Sequence, residues 1–234
     1  DLTPIMGTSE AAKARSGNIS NTYYRLRDMT LAYSIKGTDL YQNPAVKDEV
    51  IKGLDFMYAT SYNENATATP VFGNWWHWEI GTPGASLTTA MLLYDDLTDQ
   101  QLRNYTNAVN RYCASIASSG MPGSPAMTGA NLIDKGTAVA LSALLSQNAN
   151  KMDHVKTKFK EVFEYVTTGD GFYKDGSYIQ HQALAFMGAY GKDLYNKQHF
   201  LYRLRRQPLG AGLRRRQRND SLQRHFRRGG AFLP

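Results

Sequence analysis

Residues 99–116, DQQLRNYTNAVNRYCASI, carry the clearest hydrophobic period in this chain of 234 residues. Apolar side chains recur there every three or four residues, as they do along one face of an amphipathic helix. These positions are Leu102, Tyr105, Ala108, Val109, Tyr112, Cys113 and Ile116. Thr98 and Asp99 stand before the period and Gly120 after it, which predicts where the helix begins and ends. The stretch therefore predicts a helical protein.

Other parts of the chain show the same spacing. It predicts helices over residues 20–35, 44–62, 133–145 and 155–166. The second of these has Asn43 as a capping residue and Pro44 in its first turn. Gly-, Pro- and Asn-rich stretches separate the helices, and alternating strand patterns are scarce. We therefore expect an all-α fold of antiparallel helix pairs joined by loops.

Charge divides the chain into two parts. The formal net charge is +7, and residues 201–234 alone hold ten Arg, one acid and no Lys, a net of +9. Subtracting +9 from +7 leaves residues 1–200 at −2. The Arg-rich stretch has no sustained apolar period. We hypothesise that residues 197–234 are a frameshifted or non-native, disordered tail, with a basic arm for an anionic polymer as the alternative, and that residues 1–196 form the functional domain.

Several classes of function lack support in the sequence. The five His residues form no HxxxH or HExxH pair, and the single Cys113 cannot build a zinc site, so we expect no metal and no cofactor. No run of eighteen apolar residues predicts a membrane span, and the first residues show no signal-peptide pattern. A nucleic-acid function would rest on the Arg-rich tail alone, so we expect none.

Three sequence segments offer side chains suited to a carbohydrate site. In the first, NWWHWEIG (residues 74–81), Trp75, Trp76 and Trp78 cannot all face one core, so at least one should line a cleft. Indole faces stack on sugar rings, and the Asn74 amide can donate to a hydroxyl or carboxylate. The alternative is a purely structural aromatic cluster.

The second and third segments hold polar groups with two possible roles. In TGANLID (residues 128–134), Asn131 follows a glycine and precedes a buried helix, so on local grounds it could simply cap that helix. In DGSYIQHQALAFMGAYG (residues 175–191), His181 and Tyr190 stand nine residues apart after a glycine turn. Either of them alone could be a packing residue.

Taken together and in this order, the three segments resemble polysaccharide lyase family 8, which contains hyaluronate, chondroitin AC and xanthan lyases. The resemblance covers roughly residues 10–195. It implies that Asn131, His181 and Tyr190 are catalytic. It also implies that Asn74, Trp75 and Trp76 bind substrate.

The same resemblance implies an incomplete α/α toroid with a cleft for an anionic polysaccharide, in a secreted or cell-surface bacterial protein that acts as a monomer. Relatives place a further Arg and Glu beyond the matched region and then add β domains. These parts have no counterpart here, so we expect the 234-residue chain by itself to be a weak or inactive catalyst. Hyaluronate is the first expected substrate and chondroitin the second.

Lyase chemistry gives each catalytic candidate a role. Elimination removes the C5 proton of a uronate whose carboxylate is already negative, and amide N–H groups of Asn131 can stabilise the dianion that develops. Neutral His181 can accept the proton, and Tyr190 can protonate the departing glycosidic oxygen. The alternative assigns both proton transfers to Tyr190, and the sequence does not decide between them.

Two other function classes use the same segments differently. A toroid glycoside hydrolase would need two carboxylates flanking the bond, for which Glu79, Asp170 and Asp175 are candidates. A glycan-binding module without activity would need the Trp residues but not His181 or Tyr190.

Overall fold

The computed structural model describes residues 1–118 and 126–197, and helices make up most of this part. The α-helices are α1 (Glu10–Ser34), α2 (Pro44–Thr60), α3 (Thr82–Leu92), α4 (Asp99–Tyr112), α5 (Gly129–Leu145) and α6 (Ala149–Val162). Two π-helical turns, His77–Gly81 and Met187–Gly191, and three short strands, β1 (Gly171–Phe172), β2 (Tyr178–Gln180) and β3 (Leu184–Ala185), complete the elements. The expected all-α class is confirmed.

The sequence signals placed two helix starts correctly. Thr98 caps α4 through a reciprocal pair of hydrogen bonds with Gln101, and Asn43 caps α2 ahead of Pro44. However, α4 ends at Tyr112, well before the predicted stop near Gly120. Ile116 remains buried in the bends that follow, since an apolar side chain can enter the core from non-helical backbone.

Helix α1 is longer than its apolar period predicts. It begins at Glu10, ten residues before the predicted start at residue 20, because Ser9 accepts a hydrogen bond from the Ala12 amide and caps it. The buried face of the extra turns consists of Ala12, Ser16 and Ile19, and small or polar residues at buried positions give no apolar period that could be detected.

Helix α3 lies at the centre of the described fold. It contacts α1, α4 and α5, and nearly all its side chains are buried. A helix buried on every side has no polar face, which explains why its sequence shows no amphipathic period. Helix α5 is almost as completely buried and packs against α3, α4 and α6. It extends four residues further toward the N-terminus than predicted, to Gly129.

A small antiparallel sheet follows α6. Its order is β1-β2-β3, with Phe172 paired to Tyr178 and Gln180 paired to Leu184. Strands of two or three residues are too short to show an alternating pattern, which is why the sequence did not reveal them. The sheet places the segment that contains His181 beside the N-terminal end of α5, because Gln180 accepts a hydrogen bond from the Ala130 amide.

Residues 192–197 continue as α-helix after the second π-helical turn. The Arg-rich stretch lies outside the described residues from position 198 onward, so the hypothesis of a disordered tail stays a prediction. Within the described ranges, no helix combines the length and the apolar character that a membrane crossing requires.

Candidate active site

The aromatic run divides its three indoles between core and surface. Trp78 is almost fully buried, stacks on Tyr62 and Tyr112, and donates from Nε1 to the Phe72 carbonyl at 2.7 Å. Trp75 and Trp76 are only half-buried. The expectation that the three rings could not all face one core is confirmed, and Trp78 is the structural member.

The backbone around Trp76 is shaped for close packing. A Cβ atom on Gly81 would lie 2.6 Å from the Trp76 ring and 2.8 Å from the Tyr24 hydroxyl, so the glycine lets both approach the π-helical turn. Asn74 Oδ1 accepts from the Trp76 amide at 3.0 Å. Among the described residues the Asn74 amide nitrogen donates to no protein group, which leaves it suited to a ligand.

Asn131 occupies the third position of α5 and does not cap the helix. Thr128 is the N-cap residue, so the local alternative for Asn131 is wrong. The Asn131 side chain is 7% exposed, and no group in residues 1–118 or 126–197 hydrogen-bonds to its amide. A buried amide with unused donors is suited to stabilise an anionic oxygen.

His181 and Tyr190 are in direct contact at the surface. His181 Nε2 lies 3.1 Å from Tyr190 Oη, within hydrogen-bond distance, and the two rings meet edge to face with centroids 5.1 Å apart. The Phe186 ring meets both rings edge to face, with its centroid 6.0 Å from the centroid of His181 and 5.1 Å from that of Tyr190. Because His181 is exposed and Tyr190 half-buried, both can reach a substrate.

The backbone at His181 is unusual. His181 and Gln182 both have left-handed conformations, with φ of 56° and 68°. Non-glycine residues rarely adopt this region, and consecutive examples require support from their surroundings. The Gln182 amide receives such support, because it donates to Asp170 Oδ1 at 2.6 Å.

Helix α5 connects the parts of the site. The π-helical turn of the aromatic run and the turn that contains Tyr190 both contact α5, the helix that carries Asn131. The sequence pointed to these groups, but it offered Asp170 only as a hydrolase carboxylate and gave no role to Thr128 or Gln180, which join them. Asp170 and Gln180 hydrogen-bond to each other and to Thr128 at the start of α5. The only sequence signal was the position of Gln180 next to His181.

The carboxylates that a glycoside hydrolase would use have other partners. Glu79 is fully buried and accepts from Lys135 Nζ at 2.6 Å; burial raises the Glu79 pKa, while Lys135 opposes that rise. Asp170 accepts from Thr128, Gln180 and Gln182. Two hydrogen bonds from Ser177 lower the Asp175 pKa and hold this carboxylate in a turn. Hydrolysis by these groups has no support in this geometry.

Comparison with known proteins identifies the class. The model of the N-terminal alpha-helical domain of polysaccharide lyase family 8 matches residues 6–196. The chain therefore belongs to polysaccharide lyase family 8, as its three segments had suggested.

Individual relatives agree with this assignment. The chain is 34% identical to a xanthan lyase of Bacillus sp. (strain GL1) over 181 residues, which cover 76% of this chain and 18% of that protein. It is 30% identical over 197 residues to hyaluronate lyase HylB of Enterococcus faecalis, covering 79% of this chain and 19% of the relative.

A solved structure shows the same fold. The chondroitin AC lyase of Streptomyces coelicolor A3 superposes with a TM-score of 0.76 at 31% identity, covering 95% of this chain and 30% of that one. The chain thus spans less than a third of the length of these three relatives.

Proposed function

We propose that the protein is a polysaccharide lyase that cleaves a uronic-acid-containing polysaccharide by β-elimination and leaves an unsaturated uronate end. The observation that carries this proposal is the His181–Tyr190 contact at 3.1 Å, on a segment hydrogen-bonded to the start of the helix that holds Asn131. The pair offers a proton acceptor and a proton donor, and the amide offers donors for a carboxylate. Elimination needs these three elements.

Each group has a role in this mechanism. Asn131 donates to the uronate carboxylate and stabilises the dianion that forms when the C5 proton leaves. His181 accepts that proton, and Tyr190 donates its phenolic proton to the glycosidic oxygen as the C4–O bond breaks. The Nε2–Oη contact then allows His181 to return a proton to Tyr190. The same contact is compatible with Tyr190 acting as both base and acid.

The substrate-binding role falls to Asn74, Trp75 and Trp76. The half-buried indoles offer surface to sugar rings, and Asn74 offers its amide nitrogen. We assign hyaluronate as the first substrate and chondroitin as the second; relatives named for hyaluronate, chondroitin and xanthan support the class of polymer. Residues 1–196 form the lyase domain as part of an incomplete α/α toroid, in a bacterial protein that is secreted or at the cell surface.

The test is incubation of the protein with hyaluronate, chondroitin and xanthan while following the ultraviolet absorbance of the unsaturated product. The 234-residue chain is assayed beside a form built on the hypothesis of a frameshifted tail, in which the reading frame is corrected and continued; we call this the full-length form and expect clear turnover from it. Asn131→Ala should lower kcat by roughly 10²–10³-fold, and His181→Ala and Tyr190→Phe by roughly 10²–10⁴-fold.

Matched controls separate chemistry from folding. His154→Ala removes an exposed imidazole on α6, and Tyr173→Phe removes an exposed hydroxyl near β1; both should keep normal rates. Reducing ends without ultraviolet absorbance would show hydrolysis and contradict the proposal. Binding that depends on Trp75 and Trp76, with no cleavage by the full-length form, would show a glycan-binding module instead.

A second experiment decides which residue is the base. A substrate with an aryl leaving group on C4 needs little protonation of the departing oxygen. If Tyr190 is only the acid, Tyr190→Phe should be nearly as fast as the wild type on this substrate, whereas His181→Ala should remain slow. If Tyr190 performs both transfers, Tyr190→Phe should be slow on both substrates.

A further inference from the structure

A group of hydrogen-bonded polar side chains, two of them buried and two half-buried, lies between the start of α5 and the strand that leads to His181, and we call it the polar hub. It consists of Thr128, Asp170, Tyr178 and Gln180. Tyr178 and Gln180 are 0% and 1% exposed. The polar hub has no assigned part in the chemistry above, yet it contacts the backbone next to both Asn131 and His181.

Gln180 uses all its hydrogen-bonding capacity within the polar hub. Its Oε1 accepts from Tyr178 Oη at 2.5 Å and from the Ala130 amide at 3.3 Å. Its Nε2 donates to Thr128 Oγ1 at 3.2 Å and to Asp170 Oδ2 at 3.0 Å. Burial raises the Tyr178 pKa to about 12, so its hydroxyl stays protonated and remains the donor. With two acceptor and two donor contacts made, the amide has one defined orientation.

Asp170 completes the connection. Its Oδ2 accepts from Thr128 Oγ1 at 2.6 Å, and its Oδ1 accepts from the Gln182 amide at 2.6 Å. The second contact fixes the backbone immediately after His181, where two consecutive residues are left-handed. One carboxylate therefore joins the helix cap of α5 to the strained backbone at His181.

The start of α5 is built to admit this group. Gly129 has a left-handed φ of 49°, and a Cβ atom there would collide with Tyr178 Oη and Gln180 Oε1. Thr128 uses its hydroxyl for Asp170 rather than for the helix it caps. The Thr128 side chain thus makes no capping hydrogen bond to α5 and instead makes its hydrogen bonds within the polar hub.

We propose that Gln180 and Asp170 are positioning residues that, through the polar hub, set the placement of Asn131 relative to the His181–Tyr190 pair. The proposal rests on the proposed function for its effect on turnover, but its structural part stands independently. Positioning matters because misplacement of a reacting group by about 1 Å can lower a rate by roughly 10²-fold.

Exchanging donor and acceptor in the contact between Gln180 and Asp170 tests this positioning role. Gln180→Glu keeps the acceptor for Tyr178 and Ala130 but places a second carboxylate against Asp170. Asp170→Asn keeps an acceptor for Gln182 but loses the acceptor for Thr128 and Gln180. In the double variant, the new amide at position 170 can donate to the new carboxylate at position 180, and the Thr128 hydroxyl can donate to that same carboxylate. The double variant should therefore restore the connection.

The first readout is the NMR signal of the His181 ring in the 234-residue protein, assigned with His181→Gln, together with its nuclear Overhauser effect to Tyr190. We expect each single variant to shift this signal and weaken the effect, and the double variant to return both toward wild type. Thr137→Val is the matched control, since its buried hydroxyl donates only within α5, to the Ile133 carbonyl at 2.7 Å. It should leave the His181 signal unchanged.

The second readout is elimination by the full-length form. Each single variant should lower kcat by roughly 10- to 100-fold with KM changed by less than about threefold, and the double variant should recover most of the loss. If either single variant fails to fold, Thr128→Val replaces it, because it removes one hydroxyl, which donates to Asp170 and accepts from Gln180, and changes no charge.

Two results would overturn the proposal: a His181 signal that no hub variant moves, or a double variant no better than the single ones. If the wild type shows no elimination while the His181 signal responds as expected, the proposed function fails and the positioning role of the polar hub is retained.

Discussion

Glu79 and Lys135 lie in the helical core with at most 1% exposure, whereas His181 and Tyr190 meet at the surface beyond a three-stranded sheet. The buried pair joins α5, which carries Lys135, to the π-helical turn that carries Glu79, and Lys135 also donates to the Ser118 carbonyl. The surface pair is held by one aromatic neighbour and by a backbone that the polar hub fixes. The position of the core pair is thus fixed by the surrounding packing, and the position of the surface pair is fixed by a few directed contacts.

This difference predicts that the two regions respond differently to substitution. Changes in the core should reduce the free energy of unfolding, while changes around His181 should reduce turnover more than stability. Substitution of Asn131 should affect both stability and turnover, because this residue is buried on α5 while its side-chain amide makes no hydrogen bond within the described residues.

The largest effect is expected for Lys135→Met. It leaves the Glu79 carboxylate buried without its ammonium partner, which should lower the free energy of unfolding by about 3–5 kcal/mol. Urea unfolding measures the loss. Lys52→Met breaks an exposed pair with Glu49 and should stay near the wild type. An equal loss in both variants would remove the contrast between core and surface pairs.

The next largest effect is expected for Gly129→Ala. The left-handed φ and the collision with Tyr178 and Gln180 should together cost roughly 2–4 kcal/mol of stability. Gly84→Ala on α3 is the matched control. A Cβ there meets nothing within 4 Å, so alanine should stabilise the helix by about 0.5–1 kcal/mol. Thermal unfolding of both variants checks the opposite signs.

A smaller change in stability is expected for Phe186→Leu. Loss of its edge-to-face contacts with His181 and Tyr190 should lower the free energy of unfolding by about 1 kcal/mol. Turnover should fall roughly tenfold, because both rings lose the neighbour that holds their orientation. Phe163→Leu, which loses a stacked contact with Phe172, should cost similar stability and leave turnover nearly intact. Equal turnover in the two variants would contradict the positional role of Phe186.

The smallest effect is expected for Asp175→Asn. Because Ser177 lowers the Asp175 pKa in the folded state, the carboxylate contributes stability above the ordinary carboxyl pKa of about 3.9 and loses that contribution as the pH falls through the folded value. The difference in urea midpoint between wild type and variant should therefore shrink from pH 7 to pH 3. A difference that does not change with pH would show that the turn does not depend on the charge.

The sequence revealed most where one face of an element meets solvent. Helix α4 could be predicted because its polar and apolar positions alternate with the helical period, and Thr98 marked its start. Helix α3 could not, because burial on all sides removes that period. The short strands near His181 were missed because two or three residues give no alternation.

The candidate site shows the same division. The family motifs pointed to Asn131, His181 and Tyr190, and the structure brings His181 and Tyr190 into contact. Their catalytic roles remain a prediction. The polar hub was beyond reach, because Thr128 and Gln180 are 52 positions apart and only folding shows that their side chains meet.

The two π-helical turns, His77–Gly81 and Met187–Gly191, have a consequence for how this gene tolerates length changes. A π-helical turn holds one residue more than the α-helical turn it replaces. Successive residues on an α-helix point about 100° apart, so deletion of one codon inside an α-helix rotates the side chains that follow it relative to those before it. Deletion of one codon inside either π-helical turn would instead restore an ordinary α-helical turn. We therefore expect the gene to tolerate loss of one codon in the first of these turns better than in α5, because the side chains before and after that turn would keep their relative directions.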